Sequence, residues 1–132
     1  MNSSLVLAVD FDGTVVVDRY PEIGKPMPFA FEALRKLAQD GHRIVLWTYR
    51  AGKPLDEAVA FMKKQGIDLY AVNESFPGEK VDFVRTSRKI HADFFIDDRI
   101  VGGFPGWGTV YQHISGMSFD EPAPRDWRFW RK

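Results

Sequence analysis

The stretch LVLAVDFDGTVV, residues 5–16, decides the fold of this chain. The aliphatic run at 5–9 is typical of a strand that is buried on both faces of a parallel sheet. The DGT triplet that follows breaks the run, because Asp, Gly and Thr favour turns. The predicted strand therefore ends in two carboxylates, Asp10 and Asp12, separated by a single residue.

Strand-like and helix-like segments alternate along the rest of the chain. The predicted elements are a hairpin within 15–28, helices over 29–39, 54–65 and 79–90, and further strands over 44–47, 67–74 and 93–99. Such alternation predicts an α/β fold, a three-layer α/β/α Rossmann-like parallel sheet with right-handed crossovers. The length of 132 residues suits a single domain, residues 1–132.

Composition and charge narrow the classes of partner. The chain carries 18 basic and 18 acidic side chains, so no overall field favours nucleic acid or a membrane surface. Cysteine is absent, which excludes disulfides, thiolate metal sites and a cysteine nucleophile. The N-terminal apolar run is too short for a signal peptide, and no run approaches the ~18 residues that span a bilayer. We therefore expect a cytoplasmic protein with no membrane partner.

The C-terminal segment DEPAPRDWRFWRK, residues 120–132, differs in composition from the rest of the chain. It is rich in proline and then in aromatic and basic residues, so we expect a tail that is either docked or flexible. Stacking and phosphate contacts would give it a nucleic-acid partner. Packing of its rings on the core or on another subunit of a homo-oligomer is the favoured alternative.

Polar residues follow three of the predicted strands. Asp10 and Asp12 follow the first strand, Thr48 follows the second, and Asp97 and Asp98 end the fourth. Because the carboxyl ends of parallel strands meet at one crevice, four carboxylates would raise one another's pKa there unless a cation were bound. Mg²⁺ suits this crevice, since it takes carboxylate oxygens and leaves positions for water and phosphate.

The order DFDGT, a strand ending in Thr48, a lysine and then DD resembles the four motifs of the haloacid dehalogenase (HAD) superfamily of phosphohydrolases. The resemblance spans residues 5–99. It implies a Mg²⁺-dependent phosphatase that hydrolyses a phosphomonoester through an aspartyl phosphate. In that scheme Asp10 is the nucleophile, and Asp12 is the general acid and base.

The same resemblance implies roles for the remaining motif residues. The backbone carbonyl of Asp12 would bind the metal, and Gly13, beside the phosphate, would allow a sharp turn. Thr48 would donate a hydrogen bond to a phosphoryl oxygen. Asp97 would bind the metal, and Asp98 would complete the metal site by orienting a bound water.

Two lysines compete for the phosphate-binding role. We favour Lys89, because a short turn into the fourth strand would place it at the rim of the crevice, and Lys80 is the alternative. For Arg50 and Arg99 three roles are open: binding a substrate phosphate, balancing the charge of the site, or forming surface ion pairs.

The intervals between the motifs are too short for a cap domain. The first, between Thr14 and Phe29, has room only for a small flap, and the second, between Thr48 and Lys89, is filled by one helix, one strand and a connector. We therefore expect an open site that accepts a phosphorylated substrate of unspecified identity. A phosphoacceptor signalling module and a non-catalytic binding module with the same fold are the alternative functions.

Overall fold

The structure, a computed structural model, describes residues 4–80 and 90–116. Its elements in chain order are β1 (Val6–Val9), β2 (Val16–Arg19), β3 (Glu22–Pro26), α1 (Ala30–Gln39), β4 (Arg43–Leu46), α2 (Gly52–Lys64), β5 (Leu69–Val72), β6 (Phe94–Ile96) and α3 (Trp107–Ser115).

Four of the strands form one parallel sheet in the order β5-β4-β1-β6. The chain moves outward from β1 through β4 to β5, then returns to the other side of β1 with β6. The strand order therefore reverses between β1 and β6, which is where open α/β sheets bind ligands. The strands β2 and β3 form a separate antiparallel hairpin, as predicted for residues 15–28.

The main core lies on one face of this sheet. Leu7 and Val9 of β1 point to this face, as the two-residue period of a strand requires, and the three helices described here all contribute to the same cluster. Ala8, on the opposite face, belongs to a smaller cluster that includes Ile90. The predicted parallel α/β sheet is thus confirmed with helices on one face. The helix predicted at 79–90, which would cover the second face, falls almost entirely outside the described residues.

Sequence patterns did not predict α3. Its segment follows Gly102, Gly103 and Gly106 and contains Gly108, a composition that favours a loop. Packing overrides this low helix propensity, because Trp107 is buried in the main core. The helix matters for the site, since the Trp107 indole N–H donates a 2.7 Å hydrogen bond to the backbone carbonyl of Thr14.

Within residues 4–80 and 90–116, no helix combines the length and the apolar character needed to cross a membrane. The tail predicted at 120–132 lies outside the part of the chain that the structure describes.

Candidate active site

The site lies at the carboxyl ends of β1 and β6. Asp10 follows β1 directly and Asp97 follows β6 directly, and the Asp10 N–H donates to the Ile96 carbonyl at 3.0 Å. This hydrogen bond extends the pairing of the two strands by one residue. It brings the first and last acidic motifs side by side, as their predicted positions at strand ends required.

Asp10, Asp97 and Asp98 form an acidic cluster in which one carboxylate oxygen from each residue lies within 4.8 Å of the others. Burial raises the pKa of Asp10 to about 7, and the neighbouring charge of Asp97 adds to this effect. Mg²⁺–oxygen bonds of 2.0–2.1 Å would set opposite ligands about 4.2 Å apart, so small movements would close these oxygens around the ion. The donor set and its unbalanced charge therefore fit a hard divalent cation.

The raised pKa of Asp10 predicts how stability depends on pH. Between about pH 4 and 7 the unfolded chain gives up this proton while the folded protein keeps it, so folding stability falls as the pH rises. The substitution Asp10→Asn removes the carboxyl group that titrates. In metal-free protein we expect the variant to gain melting temperature over wild type, with a gain that grows from pH 4 to pH 7 and then levels off.

Thermal unfolding monitored by circular dichroism at several pH values measures this gain. The matched control is Asp68→Asn, which changes an exposed aspartate outside the cluster and is expected to leave the melting temperature unchanged. Millimolar Mg²⁺ is expected to stabilise wild type more than Asp10→Asn. A loss of stability in Asp10→Asn at neutral pH would contradict the proposed repulsion.

Thr14 joins the two acidic motifs, a role that the sequence patterns did not reveal. Its buried hydroxyl lies 3.2 Å from Asp10 Oδ2 and 3.0 Å from Asp98 Oδ1, and it accepts a 2.9 Å hydrogen bond from the Asp98 N–H. Together with the Trp107 hydrogen bond to its carbonyl, these contacts hold the DGT turn against the loop after β6. The only signal in the sequence was the position of Thr14 next to Gly13.

Gly13 occupies a position that no other residue can take without displacing the site. Its φ of +88° is unfavourable for residues with a side chain, and a Cβ there would lie 2.5 Å from Asp98 Oδ2. Its N–H donates to the Val16 carbonyl at 2.8 Å, which closes the turn. The sharp turn expected at Gly13 is therefore present, and it lets the Asp98 carboxylate approach the backbone.

Gly13→Ala should lower both stability and metal affinity, because its methyl group displaces Asp98. Gly41→Ala provides the matched control: Gly41 has a φ of +98° but nothing within 4 Å of the added Cβ. Both variants carry the backbone strain, whereas only Gly13→Ala collides with a carboxylate. We expect Mg²⁺ to raise the melting temperature of Gly41→Ala as it does in wild type and to do so much less in Gly13→Ala. Equal metal responses would show that Gly13 does not shape the cluster.

Asp12 is not part of the acidic cluster and pairs instead with Arg50. The Arg50 Nε–H and Nη2–H groups donate to the two Asp12 carboxylate oxygens at 2.7 Å each. The side chains are 0% and 1% exposed for Arg50 and Asp12, respectively. These hydrogen bonds raise the pKa of the Arg50 guanidinium, so Arg50 keeps its charge although it is buried. A buried bidentate ion pair of this kind fixes the Asp12 carboxylate in one orientation.

Arg50 also connects the hairpin to the sheet. Its remaining donors reach the carbonyls of Pro21 and Glu22 in the hairpin and of Pro54 in α2, at 2.8–3.1 Å. All five guanidinium N–H groups are thereby used. In this arrangement no donor of Arg50 is left for a phosphate, which argues against its predicted substrate-binding role. Surface ion pairing is wrong, since the pair is buried, and Arg50 instead balances the charge of Asp12.

Thr48 is buried at the edge of the site. Its N–H donates to Asn73 Oδ1 at 2.8 Å, and its hydroxyl oxygen accepts a 3.1 Å hydrogen bond from the Arg50 N–H. Asn73 has a left-handed backbone with a φ of 54° directly after β5, so its amide side chain reaches across to the end of β4. These contacts fix the turn that presents Thr48.

An open cleft of about 410 Å³ is lined by five of the predicted site residues. Its lining residues are Asp10, Asp12, Asp18, Trp47, Thr48, Tyr49, Asp97 and Arg99. This volume lies within the ~300–1,000 Å³ typical of small-molecule sites. Of the two candidate lysines, Lys80 is exposed and does not line the cleft, and Lys89 lies outside the described residues.

The chain is similar to a conserved protein from Bacteroides thetaiotaomicron whose structure is solved. The two share 46% sequence identity with a TM-score of 0.80, over 89% of this chain and 96% of the other. No protein-family model matches the chain, and neither does any functionally curated protein. The likeness therefore covers sequence as well as fold, across nearly the whole of both chains.

Proposed function

We propose that this chain, which belongs to the same family as the conserved Bacteroides thetaiotaomicron protein, is a Mg²⁺-dependent phosphatase that hydrolyses a phosphomonoester through an aspartyl phosphate. The observation that carries the proposal is the position of Asp10, which lies with Asp97 and Asp98 at the reversal of strand order and lines an open cleft. The order of the motifs supports assignment to the HAD superfamily, as a small member without a cap domain.

In the first step an ionised Asp10 oxygen attacks phosphorus, and the bond between phosphorus and the leaving oxygen breaks. With a pKa of about 7, Asp10 is only partly ionised at neutral pH in the absence of metal. Asp10, Asp97 and Asp98, with the Asp12 carbonyl, would hold Mg²⁺, whose charge when bound favours ionised Asp10 and offsets its repulsion with the phosphoryl group. The Thr48 hydroxyl and Lys89 are the proposed phosphate ligands.

Proton transfer by Asp12 is opposed by its pairing with Arg50. As a general acid Asp12 must present a proton on one oxygen to the leaving group, yet both of its oxygens already accept Arg50 N–H groups at 2.7 Å. Asp12 must therefore give up at least one of these bonds during turnover. Substrates whose leaving group needs no proton, such as p-nitrophenyl phosphate, should phosphorylate Asp10 without this movement of Asp12. Hydrolysis of the aspartyl phosphate, in which Asp12 activates water, should then limit the rate.

The same ion pair favours a second candidate function, a phosphoacceptor module. If Asp12 stayed on Arg50, no base would be in place to activate water, and the phosphoryl group would persist on Asp10. The two candidates share the first chemical step and differ in the second. The lifetime of the phosphorylated protein therefore separates them.

This lifetime can be measured by phosphorylating the protein with p-nitrophenyl phosphate and Mg²⁺, removing the donor, and following phosphate release. A half-life of seconds or less together with continuous turnover supports the phosphatase, whereas a half-life of many minutes supports the phosphoacceptor. Asp12→Asn, which removes the proposed base, should lengthen the half-life at least about tenfold if the phosphatase proposal is correct. An absence of both phosphorylation and phosphate release would favour a non-catalytic binding module.

A further inference from the structure

Two neighbouring tyrosines, one of which lines the cleft, present large aromatic surfaces to solvent. Tyr49, which lines the cleft, is 65% exposed, and Tyr20 is 45% exposed. Their ring centroids lie 5.4 Å apart, so the two side chains form one continuous aromatic surface. Exposed aromatic rings grouped beside a site for small molecules are characteristic of ligand contacts rather than of ordinary surface.

This tyrosine pair is held by the rigid part of the site. The Arg50 guanidinium lies 5.1 Å from the centroid of the Tyr20 ring, and Arg50 is itself fixed by its five hydrogen bonds. Tyr49 sits in the chain between Thr48 and Arg50, whose backbone is fixed by hydrogen bonds from the Thr48 N–H and the Arg50 N–H. Because the backbone around Tyr49 is fixed and its ring packs against Tyr20, stacking on a ligand costs less conformational entropy than it would for a ring on a free loop.

The charges around the cleft limit how many phosphates a ligand can carry. Asp10, Asp12, Asp18 and Asp97 line the cleft, and Arg99 is the one basic lining residue among the residues that the structure describes. Because Arg50 offsets Asp12 and Mg²⁺ would offset Asp10 and Asp97, a polymer with many phosphates finds few counter-charges in this lining. A small monoester with one phosphate and an uncharged remainder fits better.

From the tyrosine pair and the acidic cleft we infer that the substrate is a phosphomonoester whose leaving group carries a planar aromatic ring, which stacks on Tyr49 while the phosphate lies at Asp10. This inference rests on the proposed phosphatase function and specifies its substrate class. Nucleoside monophosphates and aryl phosphates share the required chemistry. Sugar phosphates without a base lack it.

The test compares each variant with wild type on the same substrate, so that differences in leaving-group reactivity cancel. The substrates are adenosine 5′-monophosphate, ribose 5-phosphate, which lacks only the base, and phenyl phosphate as the aryl source. Tyr49→Ala should lower kcat/KM about tenfold for the ring-bearing substrates, the size of effect that one stacked base supplies, and leave ribose 5-phosphate within about twofold. Tyr49→Phe, which keeps the ring, should restore the lost rate.

The matched control is Phe29→Ala, which removes an aromatic side chain that is 67% exposed but lies outside the cleft, and it should change no rate. A selective loss with adenosine 5′-monophosphate identifies nucleotides as the source, and a selective loss with phenyl phosphate identifies aryl phosphates. Equal losses on all three substrates, or no loss on any, would overturn the inference.

Failure of the phosphatase proposal gives a different result, namely no turnover of any substrate. The inference is then decided by calorimetric binding of adenosine 5′-monophosphate and ribose 5-phosphate to the protein in the presence of Mg²⁺. Tighter binding of the nucleotide that is lost in Tyr49→Ala supports stacking at this surface. Equal affinities would overturn it.

Discussion

Asp10→Asn is expected to abolish turnover of p-nitrophenyl phosphate in the presence of Mg²⁺, with a loss in kcat of at least about a thousandfold. The amide of asparagine is uncharged and a poor nucleophile, so it cannot form the acyl phosphate. The fold should survive, because asparagine has nearly the shape of aspartate and its neutral amide relieves the repulsion from Asp97 that helps to raise the pKa of Asp10.

This combination of outcomes distinguishes a nucleophile from a residue that only supports the structure. Steady-state release of p-nitrophenolate measures turnover, and thermal unfolding of the same samples measures stability. Asp68→Asn, at an exposed position outside the acidic cluster, should retain full activity. Activity of Asp10→Asn within about tenfold of wild type would remove Asp10 from the role of nucleophile.

Arg50→Met is expected to lower the free energy of unfolding by about 3–5 kcal/mol, the range observed when one partner of a buried ion pair is removed. The substitution leaves the Asp12 carboxylate buried without its counter-charge. It also removes the donors that the carbonyls of Pro21, Glu22 and Pro54 use. Urea denaturation followed by circular dichroism measures the change.

Three further variants make this result specific. Arg43→Met removes an exposed arginine that stacks on Tyr70 at 4.9 Å, and it should cost less than about 1 kcal/mol. Arg50→Lys should fall between wild type and Arg50→Met, because an ammonium group cannot form the bidentate pair. Combining Asp12→Leu with Arg50→Met removes both charges and should restore part of the stability. Equal costs for Arg50→Met and Arg43→Met would contradict a buried ion pair.

The fold was predictable where local patterns match the final structure. The aliphatic run before Asp10 became β1, and the run before Thr48 became β4, since strands buried on both faces have a distinctive sequence. The ends of the elements moved by one to a few residues, which is usual where a strand or helix frays. The helix α3 was missed because burial of Trp107, and not local propensity, stabilises it.

The candidate site was predictable where the ends of parallel strands determine the position of a residue. Strand ends placed Asp10 and Asp97 together because the topology of a parallel sheet determines where they meet. The contacts of Arg50 with Asp12 and of Thr14 with Asp98 join residues 38 and 84 positions apart, and no local pattern reveals such pairings. The sequence therefore left three roles open for Arg50, and its pairing with Asp12 became visible only in three dimensions.

Identification of the phosphorylated residue is the measurement that tests the proposed function most directly. Wild type, Asp12→Asn and Asp10→Asn are each mixed with p-nitrophenyl phosphate and Mg²⁺, quenched in acid within the first turnovers, digested, and examined by mass spectrometry. We predict one phosphoryl group on the peptide that contains Asp10, at a higher level in Asp12→Asn and absent from Asp10→Asn. Turnover by wild type with no phosphoryl group on Asp10 in wild type or in Asp12→Asn would contradict the aspartyl-phosphate mechanism.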